Sequence, residues 1–237
     1  MDGKKIREST NEEIENTVKA FVRAAHRAHE AGLDGVELHG AHGYLIHQFL
    51  SSHTNQRSDQ WGKDRTLFLR EIVKGIRQSL PDSFILGVRL SPEDKWSFQG
   101  IDIDECRDLC MTLSDEGIDF IHLSPWDAFK KPEKYLDGEE SLISFFRKKI
   151  PQHIPVMVAG LIKSGTDAAR ALQWGADMVA VGRMAIPYPN WPDMAANPEW
   201  HPAPPPYSRV QLQQADLGEK FIDYMKGWKN FVAEDSP

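Results

Sequence analysis

Amphipathic helices and short apolar strands alternate along most of this chain. A capping box formed by Thr10 and Glu13 opens the first helix, whose apolar residues recur at helical spacing up to Gly32. A glycine at that point suits a C-terminal cap, and the residues after it form a short, nearly continuous apolar run. The pattern repeats, so the sequence predicts five strands, at residues 35–38, 85–90, 118–123, 154–160 and 177–182.

The stretches between these strands predict helices. One carries apolar residues over 68–76, a second begins at Asp102 and ends at Gly117, a short one covers 140–149, and another begins at Ser164. Nearly continuous apolar strands between amphipathic helices are typical of a parallel sheet covered by helices, an α/β fold. In such folds ligands bind at the carboxyl ends of the strands. Those ends read Leu38-His39, Arg89-Leu90-Ser91, Leu123-Ser124, Ala159-Gly160 and Gly182-Arg183.

The last part of the chain has a different composition. Residues 187–207 are rich in proline and tryptophan, the run 202–206 is expected to be extended, and a final helix is predicted over 216–232. We therefore expect residues 1–192 to form a partial (β/α) barrel, and residues 193–237 to form a surface segment and closing helix of the same domain. A (β/α) barrel closes with eight strands, whereas five are predicted in these 237 residues.

Charge and composition disfavour several classes of partner. The net charge of −7, without runs of lysine or arginine, gives no basic surface for nucleic acid or an anionic membrane. The N-terminus lacks the apolar core of a signal peptide and no window is apolar enough to span a membrane, so we expect a cytoplasmic protein. Cys106 and Cys110 lie four apart in a helical pattern, which favours burial on a helix over a metal or cluster site.

The stretch VELHGAHGYLIHQFL, residues 36–50, places two histidines and a tyrosine directly after a strand. On spacing alone, His39 and His42 fit a polar cluster, a ligand site or zinc. No third ligand stands at a suitable position, so no metal site is expected. Tyr44 on its own reads as a packing residue, because apolar residues follow it at helical spacing. By the same reasoning, the strand-end arginines fit salt bridges and the strand-end glycines fit tight turns.

Three separated segments resemble the Old Yellow Enzyme-type NAD(P)H:flavin oxidoreductases, an ene-reductase family, and occur in the family's order. They are AGLDGVELHGAHGYLIHQFLSSHTNQRSDQWG at 31–62, GVRLSPED at 87–94 and VMVAGLIKSGTDAARALQWGADMVAVGRMAIPYPNWP at 156–192. The resemblance covers nearly the whole chain. It implies a (β/α)8 TIM-barrel type fold, present here in part as about five βα units, with the first three strands missing.

The resemblance implies a role for each residue of the opening stretch. His39 and His42 match the pair that hydrogen-bonds the carbonyl oxygen of an α,β-unsaturated substrate, an enone or enal. Two donors placed there stabilise the charge that develops on that oxygen when hydride arrives. Tyr44 matches the proton donor, a general acid.

The resemblance also implies an FMN cofactor that NAD(P)H reduces. Arg89 matches the arginine beside the flavin ring, and Gly160, Gly182 and Arg183 match its phosphate-binding loops. Glycine lets backbone amides approach a phosphate, and arginine adds a bidentate contact. Together these matches predict an FMN-dependent ene-reductase.

The missing strands leave two further expectations. The strands at 35–38 and 177–182 would each keep an unpaired edge, so the chain is expected to pair with a complementary N-terminal half-barrel or to self-associate. A non-catalytic half-barrel that associates through these edges and binds no flavin alone is the main alternative. A 2,4-dienoyl-CoA reductase shares a similar HGAHGYL stretch, but such enzymes carry an iron-sulfur cluster and further domains, for which this chain lacks the cysteines and the length.

Overall fold

The computed structural model describes residues 7–94 and 100–234. Parts of the predicted barrel segment 1–192 (residues 1–6 and 95–99) and of the predicted surface segment 193–237 (residues 235–237) therefore lie outside the described residues. Five strands are formed: β1 (Gly35–Gly40), β2 (Ile85–Leu90), β3 (Phe120–Leu123), β4 (Val156–Ala159) and β5 (Met178–Ala180). The described helices are α1 (Asn11–Glu30), α2 (Leu45–Leu50), α3 (Gln60–Lys63), α4 (Leu67–Ser79), α5 (Ile103–Asp115), α6 (Leu142–Arg147), α7 (Gly165–Gln173), α8 (Trp191–Ala195), α9 (Arg209–Gln214) and α10 (Glu219–Met225).

The strands form one parallel sheet in sequence order, β1-β2-β3-β4-β5. This confirms the predicted α/β class, and each predicted strand is present. The last three are shorter than predicted: β3 begins at Phe120 rather than at 118, and β5 ends at Ala180 rather than at 182. Within the described chain, β1 and β5 are the outermost strands and pair on one side only.

Local signals place the helix ends as predicted. The Thr10 hydroxyl accepts from the Glu13 amide at 3.2 Å, and the Glu13 carboxylate accepts from the Thr10 amide at 2.8 Å. Asp102 caps α5, and Cys106 and Cys110 are buried on that helix, as predicted. No helix in residues 7–94 and 100–234 is long and apolar enough to cross a membrane.

The two faces of the sheet differ sharply in chemistry. One transverse row, Leu38, Val88, Ile121 and Val156, is almost fully buried in the main core. Side chains alternate along strands, so the neighbouring row points to the opposite face. That row holds His39, Arg89, His122, Met157 and Met178 in register. Its end members His39 and Met178 are exposed, so this second face lies partly open to solvent.

The predicted closing helix over 216–232 is wrong. Of the described helices only α10 lies within this range, since α9 ends at Gln214, and the chain after α10 turns back so that Tyr207 forms a β-bridge with Val232. Asp216 and Asn230 both have φ of 60°, a left-handed conformation that cannot continue an α-helix. The apolar residues Ile222, Met225 and Phe231 of this range instead join Tyr207 and Leu212 in a second, smaller core.

Candidate functional site

A sharp turn after β1 brings the opening histidines and tyrosine together. His42 and Gly43 have φ of 59° and 78°, so the chain reverses immediately after the strand. The His42 amide donates to the Ser91 hydroxyl at 3.1 Å, which fixes this turn to the end of β2. Tyr44 then precedes α2 as its N-cap residue. The turn therefore places all three rings at the carboxyl end of the sheet.

The three rings form one cluster. The centroids of His39 and His42 are 5.2 Å apart, and those of His39 and Tyr44 are 4.9 Å apart. Tyr44 is 61% exposed, so it is accessible to a ligand from solvent. Two imidazoles and a phenol within this distance can contact one small molecule together.

A serine connects this cluster to Arg89. The His42 Nε2 and the Ser124 hydroxyl oxygen are 2.9 Å apart, and the Arg89 guanidinium donates to the same oxygen at 2.9 Å. Ser124 directly follows β3 and is buried. The sequence placed it at a strand end but gave no sign that it joins two predicted site residues.

The environment keeps both histidines of the cluster neutral at pH 7. Partial burial and then the positive charge of Arg89 lower the pKa of His42 to about 4. The same two causes, in the same order, lower the pKa of His39. A neutral imidazole carries one N–H, so each ring can donate one hydrogen bond to a ligand oxygen.

A cleft of about 620 Å³ lies beside the cluster, at the ends of β3, β4 and β5. Ligand pockets commonly fall between about 300 and 1,000 Å³, so it has the size of a cofactor or substrate site. Arg89, Gly160, Gly182 and Arg183 all line it. His39, His42 and Tyr44 do not line the cleft. Among the predicted site residues, Arg89 is the one that lines the cleft and also contacts the ring cluster, through Ser124.

The glycines at the cleft have different backbone roles. Gly160 has φ of 130°, and an added Cβ would lie 2.6 Å from the Pro125 carbonyl oxygen, so no other residue fits without strain. Its own carbonyl accepts from the Ala128 amide at 3.2 Å. An added Cβ at Gly182 would meet no atom within 4 Å, because this residue faces open space. Both positions leave the backbone accessible from the cleft.

Aromatic side chains surround the second arginine. The Arg183 guanidinium carbon lies 5.0 Å from the centre of the Trp126 ring and 5.8 Å from that of Trp228. Trp228 belongs to the C-terminal segment, which lines the cleft together with Asn230 and Phe231. Sequence reasoning missed this contribution, since no spacing pattern links residues that far along the chain to the sheet.

Two buried nitrogen atoms at the cleft lack a partner within the described residues: Arg89 Nε and His122 Nε2. The opposite ring nitrogen of His122 lies 2.8 Å from the Glu37 carboxylate, which favours a proton on Nδ1. Buried polar groups normally have a hydrogen-bond partner, so these nitrogens are suited to a polar ligand. With Arg183 and two accessible glycine backbones, the cleft fits a group that carries a polar ring edge and a phosphate.

Comparison with known proteins decides the family. The sequence profile of the NADH:flavin oxidoreductase / NADH oxidase family matches residues 2–198. The chain belongs to this family. Membership confirms the resemblance inferred from the three segments, and it supports at family level the predicted oxidoreductase class and flavin cofactor. All seven predicted site residues lie within the matched range.

Individual members of the NADH:flavin oxidoreductase / NADH oxidase family are longer than this chain. It is 38% identical over 198 residues to the Bacillus subtilis (strain 168) protein named "Probable NADH-dependent flavin oxidoreductase YqiG", covering 80% of this chain and 53% of that protein. It is 37% identical to the NADH:acrylate oxidoreductase of Vibrio harveyi, over 81% of this chain and 20% of that protein. The chain thus spans about half, or less, of these relatives.

A solved structure supports the same relationship. Morphinone reductase in complex with tetrahydroNAD superposes with a TM-score of 0.65 at 28% identity, covering 84% of this chain and 53% of that one. The matched part of this chain therefore shares its fold with about half of that reductase.

Proposed function

We propose that this chain provides the substrate-binding and phosphate-binding part of an FMN-dependent NAD(P)H oxidoreductase that reduces the activated C=C bond of α,β-unsaturated carbonyl compounds. The observation that carries the proposal is the arrangement at the carboxyl end of the sheet. A cluster of two neutral imidazoles and a phenol adjoins a cleft lined by two arginines and two glycines. Ser124 links the two parts through hydrogen bonds of 2.9 Å.

In this proposal the cluster binds the substrate. His39 and His42 each donate an N–H to the carbonyl oxygen, where charge accumulates as the double bond is reduced. Their lowered pKa values leave each ring neutral with a single donor. The exposed Tyr44 phenol, whose ring centroid is 4.9 Å from that of His39, supplies the proton to the α-carbon. An enone or enal is the proposed substrate class; the name of the Vibrio harveyi relative, an acrylate oxidoreductase, supports an α,β-unsaturated carbonyl.

In the same proposal the cleft binds FMN, which supplies hydride chemistry after reduction by NAD(P)H. Arg89 would contact the ring through its buried Nε, which lacks a partner within the described residues. Gly160, Gly182 and Arg183 would hold the phosphate through accessible backbone and the guanidinium. The phosphate sites of barrel enzymes commonly lie after the last two strands, and these three residues follow β4 and β5.

We further propose that the sheet is part of a (β/α)8 barrel and that a complementary N-terminal half completes it. The open face, the single-sided pairing of β1 and β5, and the 53% coverage of relatives support this reading. Residues 1–192 would then be the barrel part, and 193–237 its surface segment and closing helical region. Self-association would cover the same edges. The cytoplasmic location expected from the sequence remains a prediction.

A flavin-binding experiment tests the proposal. The purified chain, alone and mixed with a polypeptide carrying the N-terminal half of the Bacillus subtilis relative, is incubated with FMN, freed of unbound ligand and examined by visible absorption. Retained flavin in either sample supports the proposal. A colourless protein in both samples contradicts it and favours a non-catalytic half-barrel that associates through its open edges.

Matched arginine variants make the readout specific. Arg183→Gln removes a cleft cation and is expected to weaken FMN binding about tenfold, corresponding to one charge-assisted contact of about 1.5 kcal/mol. Arg23→Gln removes an exposed cation from α1, outside the cleft, and is expected to bind FMN as the unchanged chain does. Equal loss in both variants would attribute the binding to net charge rather than to this site.

A further inference from the structure

Ser124 occupies a position that the proposed roles do not assign. It is 6% exposed, lies at the end of β3 and places a single hydroxyl between two site residues. Its oxygen is 2.9 Å from His42 Nε2 and 2.9 Å from the Arg89 guanidinium. The main-chain amide of Ser124 donates to the Leu90 carbonyl at 2.8 Å, which holds the residue against the end of β2.

The protons at this contact can be assigned by elimination. A guanidinium is only a donor, so Arg89 donates to a lone pair of the hydroxyl oxygen. The hydroxyl proton then needs an acceptor, and His42 Nε2 is the acceptor at hydrogen-bond distance within the described part of the chain. If Nε2 carried the proton instead, both neighbours would donate to one oxygen, and the buried hydroxyl proton would be left without a partner. That arrangement is disfavoured, because an unsatisfied buried donor is costly.

We propose that Ser124 is a positioning residue that holds His42 as the tautomer protonated on Nδ1 and couples this ring to Arg89. The lowered pKa of His42, caused by burial and then by the Arg89 charge, agrees with a neutral ring at this contact. Two anchors thus act on His42 from different strands, since Ser91 after β2 accepts from its main-chain amide. The ring orientation and its one N–H are then set before any ligand binds.

The catalytic meaning of this assignment rests on the proposed function. With Nε2 engaged by Ser124, Nδ1–H is the donor that His42 retains for a substrate oxygen. A ring that exchanged between tautomers would offer this donor for only part of the time, and substrate binding would weaken accordingly. Arg89 donates to the same hydroxyl oxygen, so a change in the position of Arg89 at the cleft would reach His42 on the substrate side through Ser124.

Imidazole NMR tests the assignment on the chain without flavin. Long-range 1H–15N spectra of the labelled protein distinguish protonated from unprotonated ring nitrogens, and His42→Gln identifies the His42 signals among those of the nine histidines. At a pH above the pKa of His42, where the chain is folded, Nε2 is expected to be unprotonated and Nδ1 protonated. Observation of a protonated Nε2 in the unchanged chain would overturn the proposal.

Two serine variants separate positioning from general stability. Ser124→Ala is expected to shift His42 toward the Nε2-protonated tautomer. It is also expected to raise the measured pKa of His42, because the neutral ring loses the hydrogen bond that the Ser124 hydroxyl donates to it. Ser124→Thr keeps the hydroxyl and is expected to restore the original spectrum. Ser91→Ala also removes a hydroxyl beside His42, but one that contacts the main chain, so the tautomer is expected to persist.

The outcomes distinguish this inference from the proposed function. An unchanged His42 tautomer in Ser124→Ala, with amide spectra showing a folded protein, refutes the role of Ser124 whatever the FMN result. A changed tautomer with no FMN binding supports the role of Ser124 and contradicts the proposed function. If Ser124→Ala does not fold, the comparison of Ser124→Thr with the unchanged chain decides, because loss of the Nδ1 proton in the threonine variant would also refute the proposal.

Discussion

Replacing Phe68 by alanine should remove a large part of the stability of this chain. Phe68 lies on α4 and is fully buried. Its ring stacks on Phe49 with centroids 4.2 Å apart, and meets Phe21 and Trp61 edge-on at 6.2 and 6.5 Å. These partners come from α1, α2 and α3, so one side chain joins four helices.

The magnitude follows from the packing. Truncation of a buried phenylalanine to alanine costs about 3–5 kcal/mol, through lost transfer free energy and the cavity that remains. We expect the upper part of this range for Phe68→Ala, because each well-placed aromatic pair contributes about 0.5–1.5 kcal/mol beyond burial. Phe68→Leu refills much of the volume and is expected to cost about 1–2 kcal/mol, mainly for the lost ring contacts.

Urea unfolding followed by circular dichroism measures these differences at low protein concentration, where edge-to-edge association is least. Phe221→Ala is the control: Phe221 also stacks on an aromatic ring, that of Tyr224 at 6.0 Å, but both side chains are exposed. It should change the free energy of unfolding by less than about 0.5 kcal/mol. A Phe68→Ala cost similar to that of the control would refute the reasoning that this ring joins the four helices.

Three further predictions concern the site. The pKa of His42 is lowered from 6.5 to about 4 in the folded chain, so its contribution to the free energy of unfolding is full above pH 6.5 and is lost as pH falls toward 4. His42→Gln should therefore flatten the pH dependence of urea unfolding in that interval, and an unchanged slope would contradict the shift. Gly160→Ala should destabilise the fold by more than about 1 kcal/mol, because the φ of 130° at Gly160 and the nearby Pro125 carbonyl exclude a Cβ. Gly182 has open space around it, so the melting temperature of Gly182→Ala should lie within about a degree or two of that of the unchanged chain. In an assembled enzyme that binds FMN, Tyr44→Phe should slow enone reduction about 10²- to 10⁴-fold and leave flavin reduction by NAD(P)H intact; stopped-flow measurement of the two half-reactions separates them, and unchanged enone turnover would remove Tyr44 from the proton-donor role.

The sequence predicts the framework of this fold because its signals are local. The capping box at Thr10 and the cap at Asp102 need only residues three or fewer positions away. Apolar runs in the sequence predict the strands, and the helices between them predict a parallel sheet. The predicted helix over 216–232 failed for the same reason: helical spacing of apolar residues says nothing about the left-handed turns at Asp216 and Asn230.

The candidate site is predictable only in part. His39, Arg89 and Gly160 attract attention because they stand at strand ends, which parallel folds bring to one edge. The contact of Ser124 with both His42 and Arg89 depends on the register of three strands, which no single segment encodes. The contribution of Trp228 depends on where a distant segment turns back, so only the folded chain reveals it.

The sequential order of the strands also has a consequence for how the molecule is made. Each strand pairs with the one synthesised just before it, so the sheet can grow on the ribosome one βα unit at a time without waiting for a distant partner. Every pairing within a group of consecutive units is then complete in itself. Separating such a sheet between two units therefore breaks one ladder at that point and leaves the others intact.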